Sequence, residues 1–222
     1  MELREITGLL RMEFLLDLRQ RAAWGGMLLY VVSAIYICYL GVRGALPVPV
    51  WNALFWIILL FAAFNALVRS FQREDAGRQV YLYTLAGPRS VVLARTLYNA
   101  LTMLVLSLLS LLFYVLFLGT DALGAAQVGQ FVLVVALGGV GLAAVLTLIS
   151  AIAARAGSGL GLMAILGFPV VLPMLLSVMR ASKGALDGLP WSVNSTYVLW
   201  IVALDVLTVA LAWLLFPYLW RD

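Results

Sequence analysis

The chain is a succession of long apolar runs, each about the length of a bilayer-spanning helix, divided by short segments that hold nearly all of its charges. A transmembrane helix needs about 20 apolar residues, so the chain has room for roughly six spans and almost nothing else. Composition agrees: 65% of the residues are hydrophobic, 11% are charged, and the mean hydropathy is +1.09. No soluble domain of 222 residues can bury that much apolar surface. The expected fold is therefore an all-α integral membrane protein, a single transmembrane domain over residues 1–222, with no space for a nucleotide-binding domain.

Residues 2–21 differ from the rest. They mix charges of both signs with Leu3, Ile6, Leu10, Phe14 and Leu18, which fall on about a third of a helix at 100° per residue. Glu13, Asp17 and Arg21 intrude on that face. The pattern predicts an interfacial helix over residues 1–23. A secretory signal fits poorly, because the lead carries four acids and no small-residue cleavage site follows the first apolar run.

The spans follow in order. The first runs over about residues 25–42 and ends at Arg43 and the GALPVPV turn, where Pro47 and Pro49 belong at a membrane edge. The second covers about 51–68, and the third starts near Val91 or Arg95 and reaches Leu118. The fourth, about 128–154, is rich in small residues: GGVG at 138–141, then Ala143 and Ala144. Small residues let helices approach closely in lipid, where packing drives association.

The fifth span, about 160–179, contains Pro169 and Pro173; two prolines four residues apart either kink the helix for packing or break it to line a pathway. Arg180, Lys183, Asp187 and Pro190 are expected in a loop, with Leu189-Pro190-Trp191 flat at the interface, before a last span of about 196–219.

Basic residues orient this plan. With the N-terminus inside, the inner segments hold eleven of them and the outer loops only Arg43, Arg180 and Lys183, a clear positive-inside bias. Both termini are expected to be cytoplasmic. The same distribution explains the net charge of +4 and the pI near 9.5 without nucleic acid, since the arginines gather at helix ends and form no basic stripe.

Several chemistries are excluded by what the chain lacks. It has no histidine, which removes Ser-His-Asp and Cys-His nucleophilic sites, zinc-protease motifs and the commonest ligand of haem iron. Cys38 is the only cysteine, so neither a disulfide framework nor a cysteine metal cluster can form within the chain. GSGLG at 157–161 lacks the lysine of a phosphate loop and any base for a nucleophilic serine, and is expected to be a turn. The seven methionines are scattered among the spans, an unsuitable arrangement for a metal relay, although a single Met can ligate haem iron.

Asp205 is the one acid well inside a predicted span. A carboxylate in lipid is costly and either pairs structurally or faces a functional cavity. It is expected about nine residues from the outer end of its helix, within reach of water, with no second acid or base deep enough for a proton relay. Asn65 and Asn99 are candidates for hydrogen bonds between helices.

The strongest functional candidate is the longest charged interruption, residues 69–90, RSFQREDAGRQVYLYTLAGPRS. Charges alternate over Arg69, Arg73, Glu74, Asp75 and Arg78; Val80, Tyr81, Leu82, Tyr83 and Leu85 follow, and Gly87-Pro88 closes the unit. Either it is an interfacial loop held by lipid headgroups, or it docks into a partner through apolar anchors with a charged rim.

These features together resemble the ABC-2-like exporter permeases and, within them, the CcmB family, the haem exporter permeases of cytochrome c maturation. The resemblance covers essentially the whole chain. It rests on the RQRAAWGGMLLYVVS lead into the first span, on Phe71, Glu74, Asp75, Gly77, Leu85 and Pro88 in the charged stretch, and on Pro169 and Pro173. Arg78-Gln79 and two tyrosines stand where a common family version has an acidic-glycine-serine-leucine run.

The resemblance implies a non-catalytic permease subunit of the bacterial inner membrane, coupled through Phe71, Arg73, Glu74, Asp75, Gly77, Arg78, Leu85 and Pro88 to a CcmA-like ATPase that holds the ATP. CcmC-like and CcmD-like subunits and the haem chaperone CcmE are the further implied partners. Haem is the implied substrate, with its iron ligands coming from those partners and no cofactor resident in this chain. Pro169, Pro173 and Asp205 are the candidate pathway or kink residues. Two alternatives remain: an ABC-2-type exporter for another lipid or hydrophobic small molecule, and an intramembrane enzyme using Asp205 as its acid.

Overall fold

A computed structural model describes residues 2–19, 21–42, 44–67, 87–155 and 160–219. Among the described residues the chain forms seven α-helices and no strand: α1 (Glu2–Arg19), α2 (Arg21–Gly41), α3 (Val48–Leu67), α4 (Pro88–Leu118), α5 (Val128–Arg155), α6 (Leu160–Leu186) and α7 (Trp191–Leu219), with a 3₁₀ turn at Asp121–Leu123 between α4 and α5. The six from α2 to α7 are long and apolar enough to cross a membrane. This is a multi-pass membrane protein, as the apolar runs predict.

The differences lie at helix ends. The third span begins at Pro88, before Val91: Gly87 is extended (φ −67°, ψ 146°), and the fixed φ of proline suits the first helical position, where no amide hydrogen is needed. The fifth span continues past Met179 to Leu186, so Arg180 and Lys183 are helical and do not lie in a loop. An i,i+4 pair between Lys183 and Asp187 closes that helix, and only residues 187–190 link it to α7. The last span starts at Trp191, five residues before the expected Thr196, which makes Trp191 the first residue of a helix rather than part of a flat interfacial segment.

The fourth-span glycines decide the packing. Helix α5 is 72% buried across its span and touches α3, α4, α6 and α7, whereas α2 and α7 are 11% and 22% buried and lie at the periphery. A Cβ on Gly138 would fall 2.4 Å from the Trp56 ring on α3, and one on Gly139 would fall 2.7 Å from Ser107 Oγ on α4. Neighbouring helices occupy the space a side chain would need. The small residues are what allow α5 to sit in the middle of the bundle.

Some buried polar groups within the spans bond to their own helix, as Thr96 does to the Val92 carbonyl, and others bond across helices, because lipid offers them no water. Trp56 Nε1 donates to Ser182 Oγ at 2.9 Å, Ser182 Oγ donates to Asn52 Oδ1 at 2.8 Å, and Asn52 Nδ2 donates to the Met179 carbonyl at 3.0 Å, fastening α3 to α6. Beside this network Trp51 stacks with Phe55, while Tyr114 and Phe131 pack edge-on or tilted against them, and the Tyr114 hydroxyl donates to the Trp51 carbonyl at 2.8 Å. Asn99 Nδ2 donates to Thr147 Oγ1 at 2.8 Å, joining α4 to α5 as expected. Asn65 does not bridge helices: its Nδ2 donates to the Phe61 carbonyl of its own helix.

Candidate functional site

Most of the charged stretch falls outside the described residues: Phe71, Arg73, Glu74, Asp75, Gly77, Arg78 and Leu85 all belong there. Its last four residues, 87–90, are described, and they are anchored on two sides. Pro88 opens α4. Arg89 sets its guanidinium 4.3 Å from the centre of the Trp213 ring on α7, and Ser90 Oγ donates to Glu5 Oε2 on α1 at 3.0 Å. The stretch therefore runs directly into a junction of α1, α4 and α7.

Helix α1 completes that junction in a way its apolar stripe does not foretell. Phe14 and Leu15 are exposed, free to face lipid, while the side toward α4 carries Leu9, Met12 and Glu13 against Val91, Ala94 and Arg95. Glu13 Oε1 lies 3.7 Å from Arg95 Nε, with the arginine side chain only 6% exposed. The acid that spoils the stripe is thus a docking contact. Composition gives one signal for the pair: an acid and an arginine of opposite sign, each intruding on an otherwise apolar surface. Their meeting depends on how α1 folds back over α4.

Asp205 has fourteen residues of α7 on either side of it, not nine residues from an outer end, because α7 begins earlier than expected. At 1.5 Å per residue that places it about 21 Å from each terminus, at the middle of the helix. Its Oδ1 is fully buried and accepts no hydrogen bond. A Cβ on Gly141 would fall 2.3 Å from that oxygen and still closer to the end of Met174, so the carboxyl is wedged over the glycine of α5 and the thioether of α6. Beside it a groove of about 410 Å³ opens to the outside between α4 and α7, walled by Leu93, Asp205, Val206, Val209, Ala210 and Trp213.

Pro169 and Pro173 lie inside α6, which continues through both of them, and both rings are exposed on its outer surface. Ser177 Oγ donates to the Pro173 carbonyl at 2.9 Å. The residue after Pro173, Met174, is the one that packs beside Asp205. Among the described residues no three acid or cysteine side chains converge as a metal-ligand set, and Cys38 is a free thiol on α2.

With this arrangement in view, comparison with known proteins is informative at the family level. No curated protein matches the chain significantly. A family model described as CcmB protein matches residues 4–218, nearly the whole chain and every helix from α1 to α7. The family is one of membrane permease components and is tied to haem transport and cytochrome c biogenesis. The chain belongs to the CcmB family.

Proposed function

We propose that this chain is the permease subunit of an ABC transporter of the ABC-2 type in the bacterial inner membrane, with both termini cytoplasmic and no catalytic residues of its own. A CcmA-like ATPase binds residues 69–90, and CcmC-like and CcmD-like subunits complete the assembly. ATP hydrolysis in the ATPase drives haem handling and the release of the haem-loaded chaperone CcmE. Haem is substrate here, not a resident cofactor.

The observation that carries this reading is the anchoring of the stretch where it meets the bundle. A force applied to residues 71–85 reaches α4 through Pro88, α1 through the Ser90–Glu5 bond and the Glu13–Arg95 pair, and α7 through Arg89 on Trp213. Three helices thus share one point of attachment. Packed helices pass on such displacement as small rigid shifts. Family membership supports the cargo and the partner class.

The test is the double substitution Glu74→Ala/Asp75→Ala in cells that express the whole assembly. Membrane insertion and the yield of this subunit should be unchanged, while the co-purified ATPase, or its assembly-dependent turnover, falls several-fold. Unchanged ATPase recovery together with unchanged turnover would remove residues 69–90 from the coupling role.

A further inference from the structure

Helix α1 sorts its charges by side. At 100° per residue Thr7, Gly8, Arg11, Phe14 and Leu15 fall in one arc of about 120°, with Arg11 at its middle, and all five are exposed. The opposite side meets α4: Glu5 accepts a hydrogen bond from Ser90, Glu13 pairs with Arg95, and Leu9 and Met12 lie against Val91 and Ala94. Both of these acids therefore face protein, while Arg11 faces away from it and makes no ion pair or hydrogen bond among the described residues. The coupling reading uses the inner side of α1 and leaves the outer side without a task.

We infer that this outer side is a binding surface for anionic phospholipid, with the Arg11 guanidinium on the headgroup phosphate and Phe14 and Leu15 in the upper acyl region. Position fixes the kind of partner. Only residue 20 separates α1 from α2, a peripheral span that is 11% buried. On its inner side α1 rests on Val91, Ala94 and Arg95, in the first turns of α4. Helix α4 has 31 residues, or about 46 Å, against a hydrocarbon core of about 30 Å. The end that leaves the core is this one, since it carries Arg89, Ser90, Arg95 and Thr96, whereas the other end closes on Val115, Leu116, Phe117 and Leu118. Helix α1 thus lies at headgroup level, and its uncovered side meets lipid.

Charge chooses the lipid class. A cation between two apolar side chains is the pattern of a helix lying in the interface, and such helices are drawn to anionic lipid. A zwitterionic headgroup carries its own cation and offers Arg11 less. The inference goes beyond the coupling reading and does not rest on it: it holds for whichever cargo and ATPase the assembly uses.

The experiment uses the full assembly in lipid nanodiscs, with Gly8→Cys on a Cys38→Ser background carrying a small fluorophore. A Cβ on Gly8 meets nothing within 4 Å, so the label has space, and an assembly without Gly8→Cys gives the background. Quenching is compared for phosphatidylglycerol and phosphatidylcholine, each with a nitroxide high on the acyl chain and each at the same fraction of the bilayer. The anionic lipid should quench about twofold more strongly or better, and added salt should narrow the difference. Arg11→Gln should make the two lipids equal while quenching persists, and Phe14→Ser/Leu15→Ser should weaken quenching by both. If either variant fails to accumulate, the lipid comparison and the salt titration on the labelled assembly decide. The proposal is overturned by equal quenching from the two lipids, by a preference that Arg11→Gln or salt leaves intact, by quenching that the double serine variant does not change, or by quenching from neither lipid, which would put protein on this face. Because binding is read without ATP turnover, its failure would leave the coupling role of residues 69–90 untouched.

Discussion

Two polar sites inside the same bundle end very differently. Between α3 and α6, Trp56, Ser182 and Asn52 bond to one another and to the Met179 carbonyl, and all three are buried. On α7, Asp205 presses Oδ1 against a glycine and a thioether, and that oxygen accepts no hydrogen bond. The first arrangement holds the fold together from within. The second leaves one carboxyl oxygen unbonded and turned inward over Gly141 and Met174. Asp205 is not alone in this, because Trp51 Nε1 and Asn194 Oδ1 are also buried without a hydrogen bond, whereas the α3–α6 network satisfies its members within the chain.

Substitutions can break this comparison. The largest effect is expected from Gly138→Leu, because the new side chain would enter space held by the Trp56 ring, and that ring is tethered through its Nε1 to Ser182. Overpacking of this kind costs about 1–3 kcal/mol or more, and thermal unfolding in detergent should show a large drop in Tm or loss of a monodisperse protein. Ser182→Ala comes next. It strands Trp56 Nε1 and Asn52 Oδ1, and the lost interhelical bonds should cost about 1–2 kcal/mol, read as a moderate fall in Tm.

Asp205→Leu should have the smallest effect on the isolated subunit, with Tm unchanged or slightly raised, since it removes a buried oxygen that accepts no hydrogen bond. A fall in Tm as large as that of Ser182→Ala would mean that Asp205 is a structural group like the others. The distinction between the two sites would then collapse.

Much of this architecture was legible in the residues. The apolar runs predict all six spans, and the charges of residues 2–21 predict a separate N-terminal helix, because length and hydropathy are local properties. Helix ends were less legible. Arg180 and Lys183 look like loop residues by charge, yet a helix can project long basic side chains outward at a membrane edge, and Lys183 gains Asp187 as a partner by remaining helical. At the functional junction, Pro88 was visible as the end of the charged stretch. Its anchors on Glu5 and Trp213 were not, since they lie 85 and 124 positions away from Ser90 and Arg89.

By itself, the sequence determined that this chain is a bundle of six membrane-spanning helices, with a charged segment between the second and third and no histidine-based chemistry. Hydrophobicity and composition suffice for that, because the bilayer imposes span length and forbids unpaired backbone. Only the tertiary structure decided that α5 is the central helix, that Glu13 meets Arg95, and that Asp205 Oδ1 is buried over Gly141 without a hydrogen bond. Those outcomes depend on which faces of distant helices come together. In lipid that choice is made by close packing around small residues such as Gly138 and Gly141, and packing is a property of pairs of surfaces that no single stretch of sequence contains.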